Sequence, residues 1–193
     1  MLPLDDPGWS QLRHAYGSGS DIPAWIQEVE SRLQNKRASD ENLLLEIGDN
    51  LCHQWGTYDG TYAAIPHLVQ LCTKAPSHDE IRIRLLEMIG WCVACLRLNR
   101  TEARGDLIRW FEESVLIARD LIAESLPFVS DSLESQAKLR NLLAAFATCH
   151  GNAPLGLLLF ELDEGGFRCD NCQAFIRPMQ SSMNAFWVER RSN

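Results

Sequence analysis

The stretch LCHQWGTYDGTYAAIPHLVQL, residues 51–71, constrains the fold more than any other, because it reads as one helix ending, a tight turn and the next helix beginning. Gly56 and Gly60 are expected to supply positive φ angles where the chain reverses, and Thr61 to cap the helix that follows. So short a turn between two amphipathic helices makes them neighbours.

The rest of the chain repeats the pattern. Ile22, Trp25, Ile26, Val29 and Leu33 form one helical stripe, with Asp21 as its cap and Pro23 tolerated in the first turn. Ser39, Asp40 and Glu41 place a cap and acids at the start of the next helix, whose buried stripe is Leu44, Ile47, Gly48 and Leu51. Beyond the turn, Tyr62, Ile65, Leu68, Val69 and Cys72 continue the period, with Pro66 inside the helix. Ser77 and Glu80 fit a capping box ahead of Ile81, Leu85, Met88, Ile89, Cys92, Val93 and Leu96. A long helix from about Glu102 carries Leu107, Phe111, Val115, Ala118 and Ile122 and stops at Pro127. Ser130 opens another, with Leu139, Leu142, Leu143 and Phe146 inward, and Gly151 ends it. Pro154 restarts a shorter one through Leu155, Leu158, Leu159 and Leu162, closed by Gly165 and Gly166.

This pattern predicts an all-α fold of stacked antiparallel helical hairpins, about seven helices, each too apolar on one face to stand alone. The 193 residues suit one domain: an irregular, flexible segment over 1–20, a helical body over 21–165, and a knuckle with a tail over 166–193. Residues 166–176, with an aromatic on either side of a C-x-x-C, read as a small β-hairpin or knuckle. Phe186 and Trp187 are left either to fray or to dock on the body.

Charge and cysteine narrow the function classes. A formal net charge of −8 opposes general affinity for a phosphate backbone and suits a basic protein partner. No apolar run reaches membrane-spanning length and no export signal opens the sequence, so a cytoplasmic protein without membrane contact is expected. The seven cysteines are then expected as thiols or metal ligands. No phosphate loop, H-E-x-x-H or G-x-S-x-G is present, and adjacent Cys52 and His53 on a helix would not face each other, so no enzyme is expected.

His53-Gln54 followed by Thr57-Tyr58, Thr61, Ala63-Ala64, Pro66 and Leu68 resembles a recurrent pattern of bacterial HEAT-like α-solenoid proteins, HQ-G-T-x-Y-x-x-T-x-A-A-x-P-x-L. The match covers these twenty or so residues. It departs at Trp55, which stands between the glutamine and Gly56, where the family pattern has the glycine directly. Several such proteins are neighbours of secreted toxins. The resemblance implies a HEAT-like fold and an immunity protein that binds and neutralises a cognate toxin, with a basic nuclease compatible with the acidic balance. The alternatives are a HEAT-like nucleic-acid-processing module, which would need a basic groove, and an assembly scaffold that self-associates into homo-oligomers through its tail.

His53, Gln54, Trp55, Tyr58 and Asp59 are the candidate partner-binding residues. Two readings stay open for this group: contact with the partner, or bracing of the turn through helix-end groups that need hydrogen bonds. Asp40, Glu41, Glu46 and Asp49, with Glu161, Asp163 and Glu164, are candidates for an acidic partner-facing patch. Cys92 and Cys95 share the face of an apolar helix and read as core. Cys169 and Cys172 are the candidate zinc ligands, with Cys149 and His150 able to complete a set of four, against the alternative of free thiols.

Overall fold

The computed structural model describes residues 1–35, 41–129 and 133–162, and strands at 167–168, 175–178 and 186–189. The fold is all-α. Its helices are α1 (Ile22–Gln34), α2 (Glu41–Leu51), α3 (Asp59–Lys74), α4 (Glu80–Leu98), α5 (Gly105–Ser125), α6 (Leu133–Cys149) and α7 (Ala153–Glu161).

Successive helices form hairpins, and the hairpins stack. One layer runs α1, α3, α5 and the other α2, α4, α6, so that a helix packs most on the element two places along. The last helix, α7, folds back onto α6 and α4. The central pair carries the core: every residue of α3 from Gly60 to Val69 is buried, as are Leu85, Leu86, Ile89, Cys92 and Val93 of α4. Cys92 and Cys95 lie in this core, as their i, i+3 spacing on an apolar helix implies.

Close crossings decide where small residues are needed. A Cβ on Gly90 of α4 would stand 2.5 Å from the Cα of Ala145 on α6, and one on Gly156 of α7 would meet the Thr148 hydroxyl and, at 2.8 Å, the Ala144 carbonyl. At Gly90 and Gly156 the α4–α6–α7 seam therefore has no room for a larger side chain. The expected inward face holds at Leu142 and Leu162, which are buried, and is corrected at Leu143 and Leu155, which point out, each 42% exposed, while Ala144, Ala145 and Thr148 are buried as well.

Arg82 stitches the layers together. Its guanidinium is buried and donates to the carbonyls of Ala75 and Leu121 and to the Glu124 carboxylate. Three acceptors on two elements compensate a charge that burial alone would disfavour.

Several helix ends differ from expectation. The α4 cap is Asp79, which accepts from the Ile81 and Arg82 amides at 2.9 and 3.3 Å, and the Ser77–Glu80 box does not form. Asp21 stands at the α1 boundary without capping it, because its carboxylate lies 3.1 Å from His14 Nε2. Gly151 does end α6, in the left-handed region at φ 86°.

The first twenty residues are packed rather than flexible. A 3-10 helix, Pro7–Gln11, is capped by Asp6, and a two-residue hairpin follows, β1 (Arg13–His14) with β2 (Gly17–Ser18). Leu2, Trp9 and Leu12 enter the core, the Trp9 indole donates to the Pro3 carbonyl, and His67 Nε2 donates to the Leu2 carbonyl.

A second small hairpin, β3 (Cys52–His53) with β4 (Gly56–Thr57), joins α2 to α3. At the C-terminal end β5 (Phe167–Arg168), β6 (Phe175–Pro178) and β7 (Phe186–Glu189) form an antiparallel sheet in that order, so the expected hairpin gains a third strand from the Phe186-Trp187 segment. Cys169 and Cys172 lie outside the described residues, and so do Asp40, Asp163 and Glu164. Among the described residues no helix is long and apolar enough to cross a membrane.

Candidate functional site

The turn linking α2 to α3 is built differently from what its glycines suggest. The residues with positive φ are Gln54 at 47° and Trp55 at 67°, neither of them glycine. They occupy the two central positions of a two-residue hairpin loop, whose favoured geometry demands left-handed backbone at both. Each such residue costs about 1–2 kcal/mol relative to glycine-like freedom.

Gly56 and Gly60 serve close approach instead. A Cβ on Gly56 would press on the His53 carbonyl at 3.0 Å, and one on Gly60, inside α3, would strike the Arg13 carbonyl at 2.5 Å. Thr61 does not cap α3 either; its buried hydroxyl donates to the Leu51 carbonyl at 2.6 Å and so closes the end of α2. The chain bends sharply here because the second helix satisfies the end of the first.

Three contacts hold the strained loop. The Asn99 side chain donates to the Trp55 carbonyl at 3.0 Å, and the Thr57 hydroxyl donates to the Asn99 carbonyl at 2.6 Å. Thr101 returns a bond to the Thr57 carbonyl at 2.6 Å. The Trp55 ring lies on Trp91, centroids 4.9 Å apart, and Trp91 meets Phe160 edge-on at 5.4 Å. Trp55 is therefore half-buried, and Gln54 is the exposed tip.

The two hairpins meet beside the loop. Tyr16, at the tip of the first, lies against His53 with centroids 5.2 Å apart and the rings tilted by 58°, and its hydroxyl donates to Asp49 at 2.6 Å. His53 Nδ1 lies 2.7 Å from the other Asp49 oxygen, which requires the Nδ1-protonated ring. The Tyr16 hydroxyl, and then His53, hold the Asp49 carboxyl below its ordinary range, while the same bond raises the Tyr16 phenol. Asp59 accepts from the Arg13 amide at 2.7 Å and so ties the first hairpin to the start of α3, where Tyr58 is the boundary residue.

Four of the five candidate residues are thus partly committed to local structure. His53 and Asp59 make side-chain hydrogen bonds, Trp55 packs on Trp91, and Tyr58 sits half-buried at the helix start, leaving Gln54 outward. Tyr16, Trp91, Asn99 and Thr101 join the site from distant parts of the sequence. Periodicity could not have pointed to them, since each partnership spans more than thirty residues.

Cys52 and His53 face different surroundings. Cys95 hydrogen-bonds to Cys52, which with burial pushes the Cys95 thiol far up, and burial does the same to Cys92. Neutral buried thiols of this kind are poor nucleophiles. Cys149 is also buried, its thiol pushed up to about 12, with His150 exposed beside it.

A cleft of about 720 Å³ opens below the hairpin. Leu44 and Asp49 of α2, Glu87, Met88 and Trp91 of α4, and Phe160 of α7 line it. A smaller cleft of about 460 Å³ lies between α5 and the end of α6, where Arg97 is forked on Glu112 and Arg119 pairs with Asp120. Among the described residues no group of three His, Cys, Asp or Glu is placed to hold a metal ion. Comparison with protein-family models, curated proteins and solved structures finds no match to this chain.

Proposed function

We propose that this chain is a non-enzymatic, cytoplasmic immunity protein that binds and neutralises a cognate secreted bacterial toxin. The observation that carries the reading is the loop at Gln54-Trp55: two non-glycine residues held in left-handed backbone, braced from the α4–α5 connection, with an exposed polar tip. Backbone strain of this kind costs stability and collects where recognition needs a fixed shape. The tip is flanked by Asp49, Tyr16 and His53, a rim of hydrogen-bonding groups around a rigid aromatic base. Resemblance of residues 53–68 to the HEAT-like pattern supports the same role.

Neutralisation would follow from occupancy, the loop and its rim filling the toxin's active cleft or blocking its substrate path. The net charge of −8 favours a basic toxin, of which a nuclease is the natural class. Capture with the tagged chain from a lysate of its source cells, followed by mass spectrometry, tests the reading. One stoichiometric partner carrying a toxin domain is the expected result; recovery of the chain alone, or of nucleic acid, refutes it.

A further inference from the structure

We propose that the cleft beneath the hairpin receives an arginine side chain carried on a segment of the partner protein, with the Glu87 carboxylate as its counter-charge. The inference rests on the protein-binding role of this face and names the chemistry that would engage it. Glu87 is 7% exposed, yet it lines a cleft open to solvent. Among the described residues its Oε1 has no hydrogen-bond partner, and a buried carboxylate oxygen left unmatched is costly.

The charges nearby are otherwise engaged. Arg84 spans Glu87 Oε2, 3.2 Å from Nη1, and Glu80, 3.3 Å from Nε, while Lys138 from α6 lies 2.8 Å from Glu80. Asp49 adds a second carboxylate from α2 at the upper edge. The remaining demand is therefore for a cation on the Oε1 side.

Arginine fits better than lysine. Its flat guanidinium stacks on aromatic faces and sheds water more readily than an ammonium, and Trp91 and Phe160 supply those faces beside Leu44 and Met88. Leu45, 69% exposed at the rim, offers an apolar lip for the residues flanking the arginine. A space of about 720 Å³ holds such a side chain with part of its backbone. Burial, partly offset by Arg84, raises the Glu87 carboxyl to about 7, so an arriving cation also drives its ionisation.

The probe is acetyl-Leu-Arg-Leu-amide, titrated against the full chain by NMR on the indole and methionine methyl signals, with the citrulline peptide as its neutral isostere. The arginine peptide is expected to bind at least about tenfold more tightly than the citrulline one, a difference of about 1.4 kcal/mol. Glu87→Gln should abolish that preference, and Leu45→Lys, a change at a residue 69% exposed, should weaken the arginine peptide more than the citrulline one, because the lost lip affects both and the added charge only the first. Equal binding of the two peptides, indifference to Glu87→Gln, or no shift at millimolar peptide overturns the proposal. Equal binding of putrescine would mark a free-amine site and overturn it as well. If the peptide behaves as expected while lysate capture returns no toxin, the cleft chemistry stands and the immunity reading falls.

Discussion

Replacing Glu87 by glutamine should make the protein more stable at alkaline pH and do so much less at acid pH. Burial, opposed by Arg84, raises the carboxyl from 4.5 to about 7. Between those values the folded chain holds a proton that the unfolded chain releases, so stability falls as pH rises through the window and levels off above it. The gap is worth about 3 kcal/mol at 1.36 kcal/mol per tenfold change. That gap already includes the favourable pair with Arg84, since the raised value is the balance of burial against it. The net expectation for Glu87→Gln is a gain of about 3 kcal/mol at pH 8 that shrinks to about 1 kcal/mol at pH 5. Glu80, Arg84, Lys138 and Asp49 surround the group in both proteins, so their effects largely cancel in the comparison. His67 is buried with its pKa lowered, and its contribution is present above 6.5 and lost as pH falls through the folded value, the opposite direction. Urea unfolding followed by tryptophan fluorescence at both pH values measures the difference, about 1 M in midpoint at a typical slope. A variant less stable than the parent at pH 8, or a difference equal at the two pH values, refutes the argument.

Other substitutions probe the scaffold and the loop. Gly90→Ala forces a Cβ to within 2.5 Å of the Ala145 Cα, so α4 and α6 must separate. The expected cost is about 2 kcal/mol, a fall of roughly 4–8 °C in Tm by calorimetry, and an unchanged Tm would show that the crossing yields freely. Gln54→Asn places a residue tolerant of left-handed backbone at φ 47° and should stabilise by about 0.5–1 kcal/mol in thermal unfolding; a loss would mean that the loop is not strained. Tyr16→Phe removes the hydroxyl that chiefly lowers the Asp49 carboxyl, so an NMR titration should find that pKa displaced upward, and an unmoved value would deny the bond its role.

The helices were legible because their apolar residues recur at helical spacing: Ile22, Ile26 and Val29, or Leu107, Phe111, Val115 and Ile122, are buried as the pattern requires. Leu143 and Leu155 mislead because a hydrophobicity pattern cannot tell where helices cross closely, and at the Gly90 and Gly156 crossings Ala144, Ala145 and Thr148 take the buried places. Helix starts shift by a residue or two where competing caps stand together, as with Ser77 and Asp79. The loop was legible in place but not in mechanism. Gln54 and Trp55 lack the residue types that announce left-handed backbone, and what holds them there, Asn99, Thr101 and Trp91, is far away in sequence. Glu87 was hidden for a related reason, since an acid in the middle of a wide apolar helix gives no sign of whether it reaches solvent.

The packed N-terminal segment has a consequence for synthesis. Leu2 is fastened by His67, a partner 65 residues later, and the Arg13 carbonyl waits for the bare Cα of Gly60. At ordinary translation rates of about 5–20 residues per second, roughly 3–13 s separate the two ends of the Leu2 bond. Through that interval Leu2, Trp9 and Leu12 lack the α3 part of the core they enter. These residues are thus made well before α3 and locked only when it arrives, and the nascent chain depends on whatever shields those three side chains until then.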